Sequence, residues 1–388
     1  MHSNQLQLPE PSEQELERSR QLTALIKNEI EASGGTIDFS RFMELALYAP
    51  GLGYYSSVQQ KFGESGDFIT APELSPWFAV CLGRQIASVL QQIPGADLLE
   101  AGAGTGVLAA GLLKHLEGVH ALPEHYFILE LSAELRQRQR QTLEAQVPQL
   151  VERVVWLNAL PEIGFRGIVV ANELLDAMPV QRFRVTSNGI KQLGVNWHNG
   201  VFHYQETDAS NEIVTRIQPL ALPVGITSEI NFSAEAWIRS MAERLASGLI
   251  LIIDYGYPGH EFYLPERRQG TLLCHYKHRA HDNPFLHVGL QDITSHIDFS
   301  AIAEAAFESG MSVMGYTSQA AFLMATGLSD IAAESNPENI QAHLTLTNQI
   351  KKLTLPSEMG EIFKVMALGK QLDQVLEGFS LQDRRGRL

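Results

Sequence analysis

Several short apolar runs in this chain close on acidic residues. Leu98-Leu99 leads to Glu100, Phe127 to Leu129 leads to Glu130, Ile168 to Ala171 leads to Asn172-Glu173, and Leu249 to Ile253 leads to Asp254. Carboxylates so placed can do two kinds of work. One accepts hydrogen bonds from the hydroxyls of a ribose. The other grips a cationic group as a fork and takes a proton from it while a new bond forms. Between the first two acids lie glycines 102, 104 and 106, in E-A-G-A-G-T-G. Without a Cβ the backbone there can approach a ligand closely and take positive φ. A dinucleotide fingerprint reads G-x-G-x-x-G. Counted from Gly102 its third glycine falls at position 107, which is Val107. The glycines alone also suit an ordinary tight turn. Glu130 adds to them, because it stands 24 residues beyond Gly106, about where a βαβ unit places its ribose-binding acid.

Glu173 and Asp176 stand at i and i+3, so one helical turn after the run would present both on one side. Asp176 is as often a cap of such a turn. Asp254 is the reserve carboxylate. Arginine, with a pKa above about 12, is the nucleophile that most needs such a pair.

The elements that must position these residues can be read from pattern. The runs near 97–101, 125–130, 154–157, 168–171 and 249–253 read as strands, and 168–171 is uninterrupted, as in a parallel strand covered on both faces. Helices are expected from Ser12, with Glu15 completing a capping box and Leu22, Leu25, Ile26 and Ile30 as its stripe. Further helices are expected over 39–47, 77–91, 107–116, 133–145 (a strongly polar one capped by Ser132) and 300–309. Residues 180–232 alternate between short apolar runs and polar turns, as in an antiparallel insertion. Ser233 is expected to cap the following helix. The stretch 257–298 reads as a long loop, a feature usually tied to function. It carries G-T-L and five histidines, at 275, 278, 281, 287 and 296. Their spacing is loose and no cysteine is near, so no metal is expected there. The segments 311–316 and 362–368 read as a terminal antiparallel hairpin, and the tail beyond Gly378 as unstructured.

Composition narrows the class. The chain has 388 residues, 45% apolar and 19% charged, with a net charge of −15. That argues against a general nucleic-acid binder, which needs clustered Lys and Arg. Cys81 and Cys274 form no C-x-x-C pair, so a reducing compartment is expected. No apolar run approaches the roughly 18 residues of a membrane span, and the N-terminus shows no signal or transit pattern. A cytoplasmic, bacterial protein is the expectation.

The pattern acid-x-G-x-G-x-G resembles the first motif of class I S-adenosylmethionine (SAM) methyltransferases. The wider chain resembles the MidA-like family, which includes a mitochondrial complex I assembly factor that methylates arginine. The matching stretches are F-M-x-x-A-L-Y-A-P-G-L-G-Y-Y (42–55), G-D-F-I-T-A-P-E (66–73), E-A-G-A-G-T-G (100–106), A-N-E-L-L-D-A-M-P-V (171–180), D-Y-G (254–256), G-T-L (270–272) and D-I-T-S-H-I-D-F (292–299). The resemblance implies an α/β fold: a Rossmann-like, doubly wound class I methyltransferase sheet ending in an antiparallel hairpin. An N-terminal helical segment and inserted β and helical elements accompany it. The implied divisions are 1–90 for helices and loop, 91–179 for the SAM-binding half and 180–232 for a small β insertion. The second half of the sheet follows over 233–317, a helical insertion over 318–357, and the last strand with its tail over 358–388. SAM is the implied cofactor. Its implied contacts are Glu100, Gly102, Ala103, Gly104, Gly106, Glu130, Leu131, Asn158, Asn172, Asp67 and Thr70. Glu173, Asp176 and Asp254 are the candidate catalytic carboxylates. The implied partner is a protein bearing an arginine, a complex I subunit among the possibilities. A small-molecule methyltransferase and a non-catalytic assembly factor on the same fold remain open.

Overall fold

The computed structural model describes residues 8–56 and 69–388. The chain divides into two units. One is made of Ile69–Leu175, Glu235–Pro258 and Phe299–Leu388, the other of Met1–Phe68, Asp176–Ala234 and Gly259–Asp298.

The first unit is built on seven strands among the described residues: β1 Asp97–Ala101, β2 Tyr126–Leu129, β3 Val154–Leu157, β4 Phe165–Asn172, β5 Leu245–Tyr257, β6 Ser312–Ser318 and β7 Phe363–Lys370. Their spatial order is β3, β2, β1, β4, β5, β7, β6. The pairs from β3 to β5 are parallel, and β7 runs antiparallel to both β5 and β6. The order turns outward from β1 in both directions, which is where an open α/β sheet binds its ligand. Ile168, Val169, Val170 and Ala171 are all 0% exposed, so β4 is covered on both faces as its apolar run requires. Helices Pro76–Leu90 and Val107–Gly118 bring Leu82, Ile86, Leu112 and Leu113 onto that core. Each such side chain, fully buried, contributes about 1.5–3 kcal/mol.

The 318–357 segment is helical, with helices Gln319–Ala325, Leu328–Ala333 and Ile340–Thr354. The expectation of an unstructured tail is corrected. Phe379 is 6% exposed, its ring 5.6 Å from that of Phe322. Gly378 N–H donates to Gln85 Oε1 at 2.9 Å, and Arg384 pairs with Glu361 through both guanidinium nitrogens at 2.8 and 3.0 Å. A polar stretch can be ordered when its few apolar and charged groups find partners distant in sequence.

The other unit carries the capping-box helix Glu13–Ala32, with both reciprocal Ser12–Glu15 bonds present. Leu22, Ile26 and Ile30 face inward, while Leu25 is 37% exposed. Strand Gly189–His198 pairs with Val201–Asp208 along one edge, and with Gln181–Thr186 and Ile37–Asp38 along the other. Thr227–Ile230 completes this antiparallel sheet. The stretch read as one long loop contains a helical turn, Gly259–Phe262, and a three-stranded sheet of Leu273–Tyr276, Arg279–His281 and Asp292–Thr294. Strands of three or four residues leave too short an alternation to register in sequence. The helix expected to be capped by Ser233 begins at Phe232. Its Ala234 N–H is accepted by Asn231 Oδ1 at 2.9 Å, and Ser233 donates instead to Pro179 O.

Candidate active site

The carboxyl ends of the parallel strands form a rim. At β1 the chain leaves through glycines 102, 104 and 106, with φ of +73°, +50° and +83°. All three lie in the region that glycine enters without steric cost. Gly102 N–H donates to Leu129 O at 3.0 Å, which ties the turn to the end of β2. A Cβ on Gly102 would meet Leu174 at 2.9 Å. Ala103 is nearly buried. Thr105 Oγ1 donates to Glu73, and Thr70 stands at the N-cap of the short helix Ala71–Leu74 that carries Glu73. Asp67 lies outside the described residues.

Glu100 is 2% exposed. Tyr126 donates its phenol to Glu100 Oε2 at 2.6 Å. Burial pushes the Glu100 carboxyl up to about 7, and the Tyr126 bond opposes that rise. Glu130, directly after β2, is bonded at both oxygens. Oε1 accepts from Ser132 N–H at 2.8 Å, and Oε2 from Gln139 Nε2 at 3.2 Å. Burial raises its pKa and those bonds lower it. A carboxylate has about four acceptor directions, so capacity remains for ribose hydroxyls. Leu131, next in the chain, is 78% exposed; an aromatic base laid on it would remove that apolar surface from water. Asn158, after β3, is also exposed.

At the end of β4, Asn172 donates from Nδ2 to Glu173 Oε1 at 3.2 Å. Its Oδ1 is buried and accepts no hydrogen bond from the described residues, an arrangement that costs free energy unless a ligand donor fills it. Glu173 takes φ of +49°, and its N–H donates to Ile253 O at 2.9 Å. A non-glycine residue in that region is strained and marks a constrained position. The helical turn expected to carry Glu173 and Asp176 together is not formed; no helix spans residues 173–178. Left-handed backbone at Glu173 ends any regular continuation there. Asp176 belongs to the other unit, where it is 4% exposed and its carbonyl accepts from Ser295 N–H at 3.0 Å. Asp254 is 0% exposed. Its Oδ2 accepts from Leu175 N–H at 3.0 Å and its Oδ1 from Tyr255 N–H at 2.9 Å. Those bonds make it the anchor of the turn after Glu173, a different setting from a substrate-facing carboxylate.

Sequence reasoning missed the helix Ala133–Gln146 as a site element. Arg136 donates to Glu130 O and to Leu157 O, Gln139 to Gly104 O, and Thr142 to Thr105 O. Spacing of three put these polar residues on one face, but a polar helix face reads in sequence as solvent-facing.

Other family-like motifs lie in the second unit. Gly270 has φ of +79°, and a Cβ there would sit 2.3 Å from the Glu229 carboxylate. Thr271 N–H donates to Glu229 Oε2 at 2.8 Å, and Arg182 Nε to Oε1 at 3.0 Å. The G-T-L stretch thus completes a buried Arg182–Glu229 network. Tyr54 is 1% exposed. Tyr55 donates to both oxygens of Asp292 at 3.0 Å and stacks on Tyr48, centroids 5.5 Å apart. Burial, then Asp292, push the Tyr55 phenol well above its usual range. Of the clustered histidines, His281 accepts from Asn283 N–H at 3.3 Å and His287 packs on Tyr276. Among the described residues no three His, Cys, Asp or Glu gather to hold a metal ion, and no helix is long and apolar enough to cross a membrane.

A parallel sheet closed by an antiparallel strand pair, with a glycine turn at β1 and an acid at the end of β2, defines a class I SAM-dependent methyltransferase. The sequence model of a family of S-adenosyl-L-methionine-dependent methyltransferases matches residues 81–317. A Burkholderia thailandensis protein crystallised with S-adenosyl-homocysteine superposes with a TM-score of 0.95 at 46% identity, covering 98% of this chain and 100% of that one. A second, native crystal structure from that organism gives a TM-score of 0.93 at 45% identity over the same shares. The mouse protein arginine methyltransferase NDUFAF7 is 27% identical, over 90% of this chain and 85% of its own. Its Drosophila melanogaster homologue is 26% identical over 87% and 82%. This chain belongs to that methyltransferase family, the MidA-like group, and its cofactor is SAM.

Proposed function

We propose that the protein methylates an arginine side chain of a protein substrate. Relatives named as protein arginine methyltransferases support this reading across most of the chain's length. The observation that carries it is Glu173, a carboxylate held in left-handed backbone at the end of β4, on the rim that bears the glycine turn and Glu130. SAM, when bound, supplies the electrophilic methyl group. Glu100, the glycines, Glu130, Leu131 and Asn172 would hold it. Asn172 donates to Glu173 Oε1 and so orients the carboxylate. A carboxylate there orients one substrate nitrogen and takes its proton as the new N–C bond forms. Most of the acceleration comes from that placement. Asp254 holds the turn behind Glu173.

Glu173→Gln tests the reading, because it keeps size and one acceptor and removes the charge. We expect S-adenosyl-homocysteine affinity to change by less than about twofold. Labelled methyl transfer should fall about 10²-fold or more. The assay uses lysate lacking the gene as the acceptor pool, with mass spectrometry of the labelled residue. A respiratory complex I subunit is the first purified acceptor to try, on the family resemblance. Unchanged turnover in the variant, or label on a small molecule alone, would discard the arginine reading.

A further inference from the structure

We propose that Gln139 is a positioning residue for the cofactor's ribose, acting through Glu130, and that the Trp156 indole sets which way its amide points. Gln139 is 0% exposed on the otherwise polar helix Ala133–Gln146. Its side chain makes three hydrogen bonds. Nε2 donates to Gly104 O at 3.1 Å and to Glu130 Oε2 at 3.2 Å, and Oε1 accepts from Trp156 Nε1 at 3.0 Å. An amide's two ends have nearly the same shape, so its orientation follows from its partners. An indole N–H can only donate, so the amide oxygen must face Trp156. Both N–H groups then point at the glycine turn and the acid. The reverse orientation would set an acceptor against the carbonyl of Gly104 and the carboxylate of Glu130.

Two further contacts make the seat rigid. A Cβ on Gly106 would lie 2.9 Å from Gln139 Cα, so helix and turn touch backbone to backbone. Thr142, one turn on, donates to Thr105 O at 2.7 Å. Ser132 N–H on one oxygen of Glu130 and Gln139 on the other, with the Leu131 backbone N–H as a further donor, fix the carboxylate's orientation and leave acceptor capacity for a ribose hydroxyl. The same donor bonds favour the ionised carboxylate, against its burial.

This inference rests on Glu130 being the ribose acceptor, and a double-mutant cycle read by calorimetry with S-adenosyl-homocysteine separates the two. Glu130→Ala should weaken binding about 10- to 100-fold, as for bonds to a charged group. Gln139→Leu should weaken it about tenfold. The double variant should bind within about threefold of Glu130→Ala, because coupled residues are not additive. Fully additive losses, or an unaffected Gln139→Leu beside a weakened Glu130→Ala, would overturn the positioning role alone. An unaffected Glu130→Ala would overturn the ribose assignment and the positioning role with it. Should Gln139→Leu not fold, the isosteric Gln139→Glu carries the test. Its carboxyl can donate only when protonated, so its affinity relative to wild type should fall several-fold from pH 5.5 to pH 8. A purely structural residue would give a pH-independent ratio, which would also overturn the proposal. Trp156→Phe keeps the ring face that lies 4.6 Å from the Arg140 guanidinium and removes the N–H. It should weaken binding several-fold in the wild-type background and not in Gln139→Leu; equal losses in both would discard the indole's role.

Discussion

At the scale of single residues, the buried acids differ in how they are satisfied. Asp254 accepts two backbone N–H groups, whereas Glu100 has one phenol as its partner at 2.6 Å and titrates near 7. Its ordinary value is 4.5, so between pH 4.5 and 7 the folded chain binds a proton that the unfolded chain has released. Stability from this residue is therefore greatest below pH 4.5 and declines as pH rises through 7. Glu100→Gln cannot titrate and still accepts from Tyr126. Relative to wild type the ligand-free variant should gain stability between pH 5 and pH 8, by up to about 3 kcal/mol. Thermal melts across that range decide it, and parallel curves for the two proteins would show that Glu100 stays ionised when folded.

At the scale of elements, the glycine turn is held from several sides: by the end of β2 through Gly102 N–H, by Gln139 on Gly104 O, and by Glu73 on Thr105. Gly104 itself has φ of +50°. A β-branched residue there is strained by roughly 1–3 kcal/mol and adds bulk where the backbone must approach the cofactor. Gly104→Val should therefore lose S-adenosyl-homocysteine binding while retaining one cooperative melt. Calorimetry beside a thermal melt checks both halves, and normal binding by a folded variant would move the cofactor away from this turn. The motif around Gly270 is built the same way for another purpose, since there the missing Cβ leaves room for a buried carboxylate.

At the scale of the whole molecule, each unit is assembled from three separated segments, and the last residues close the sheet. β6 is an edge strand, a liability for pairing with other chains unless covered. Arg384 N–H donates to Tyr316 O at 2.6 Å and Arg385 Nη1 to Val313 O at 3.0 Å, so the tail occupies that edge. Phe379 packs beneath it. Removing residues 377–388 should lower the melting temperature by several degrees, since loss of a buried Phe alone costs about 3–5 kcal/mol. It should also raise light scattering on standing. An unchanged melt and clear solution would show that the edge needs no cover.

The sequence by itself determined what lies in contiguous residues. The apolar run of β4, the glycine spacing at 102–106, the acid at 130 and the Ser12 capping box are all local patterns. Period and turn chemistry carry such information without long-range contacts. Tertiary structure alone decided which polar groups meet. Gln139 looks like any residue of a solvated helix until β3 brings Trp156 to it. Asp254 looks like a free rim carboxylate until Leu175 N–H, 79 positions away, reaches it. Likewise the N-terminal helices, the β insertion and the 259–298 segment share one apolar core. Hydrogen bonds to buried groups form between whichever residues the packed backbone juxtaposes, and that juxtaposition leaves no periodic trace in the chain.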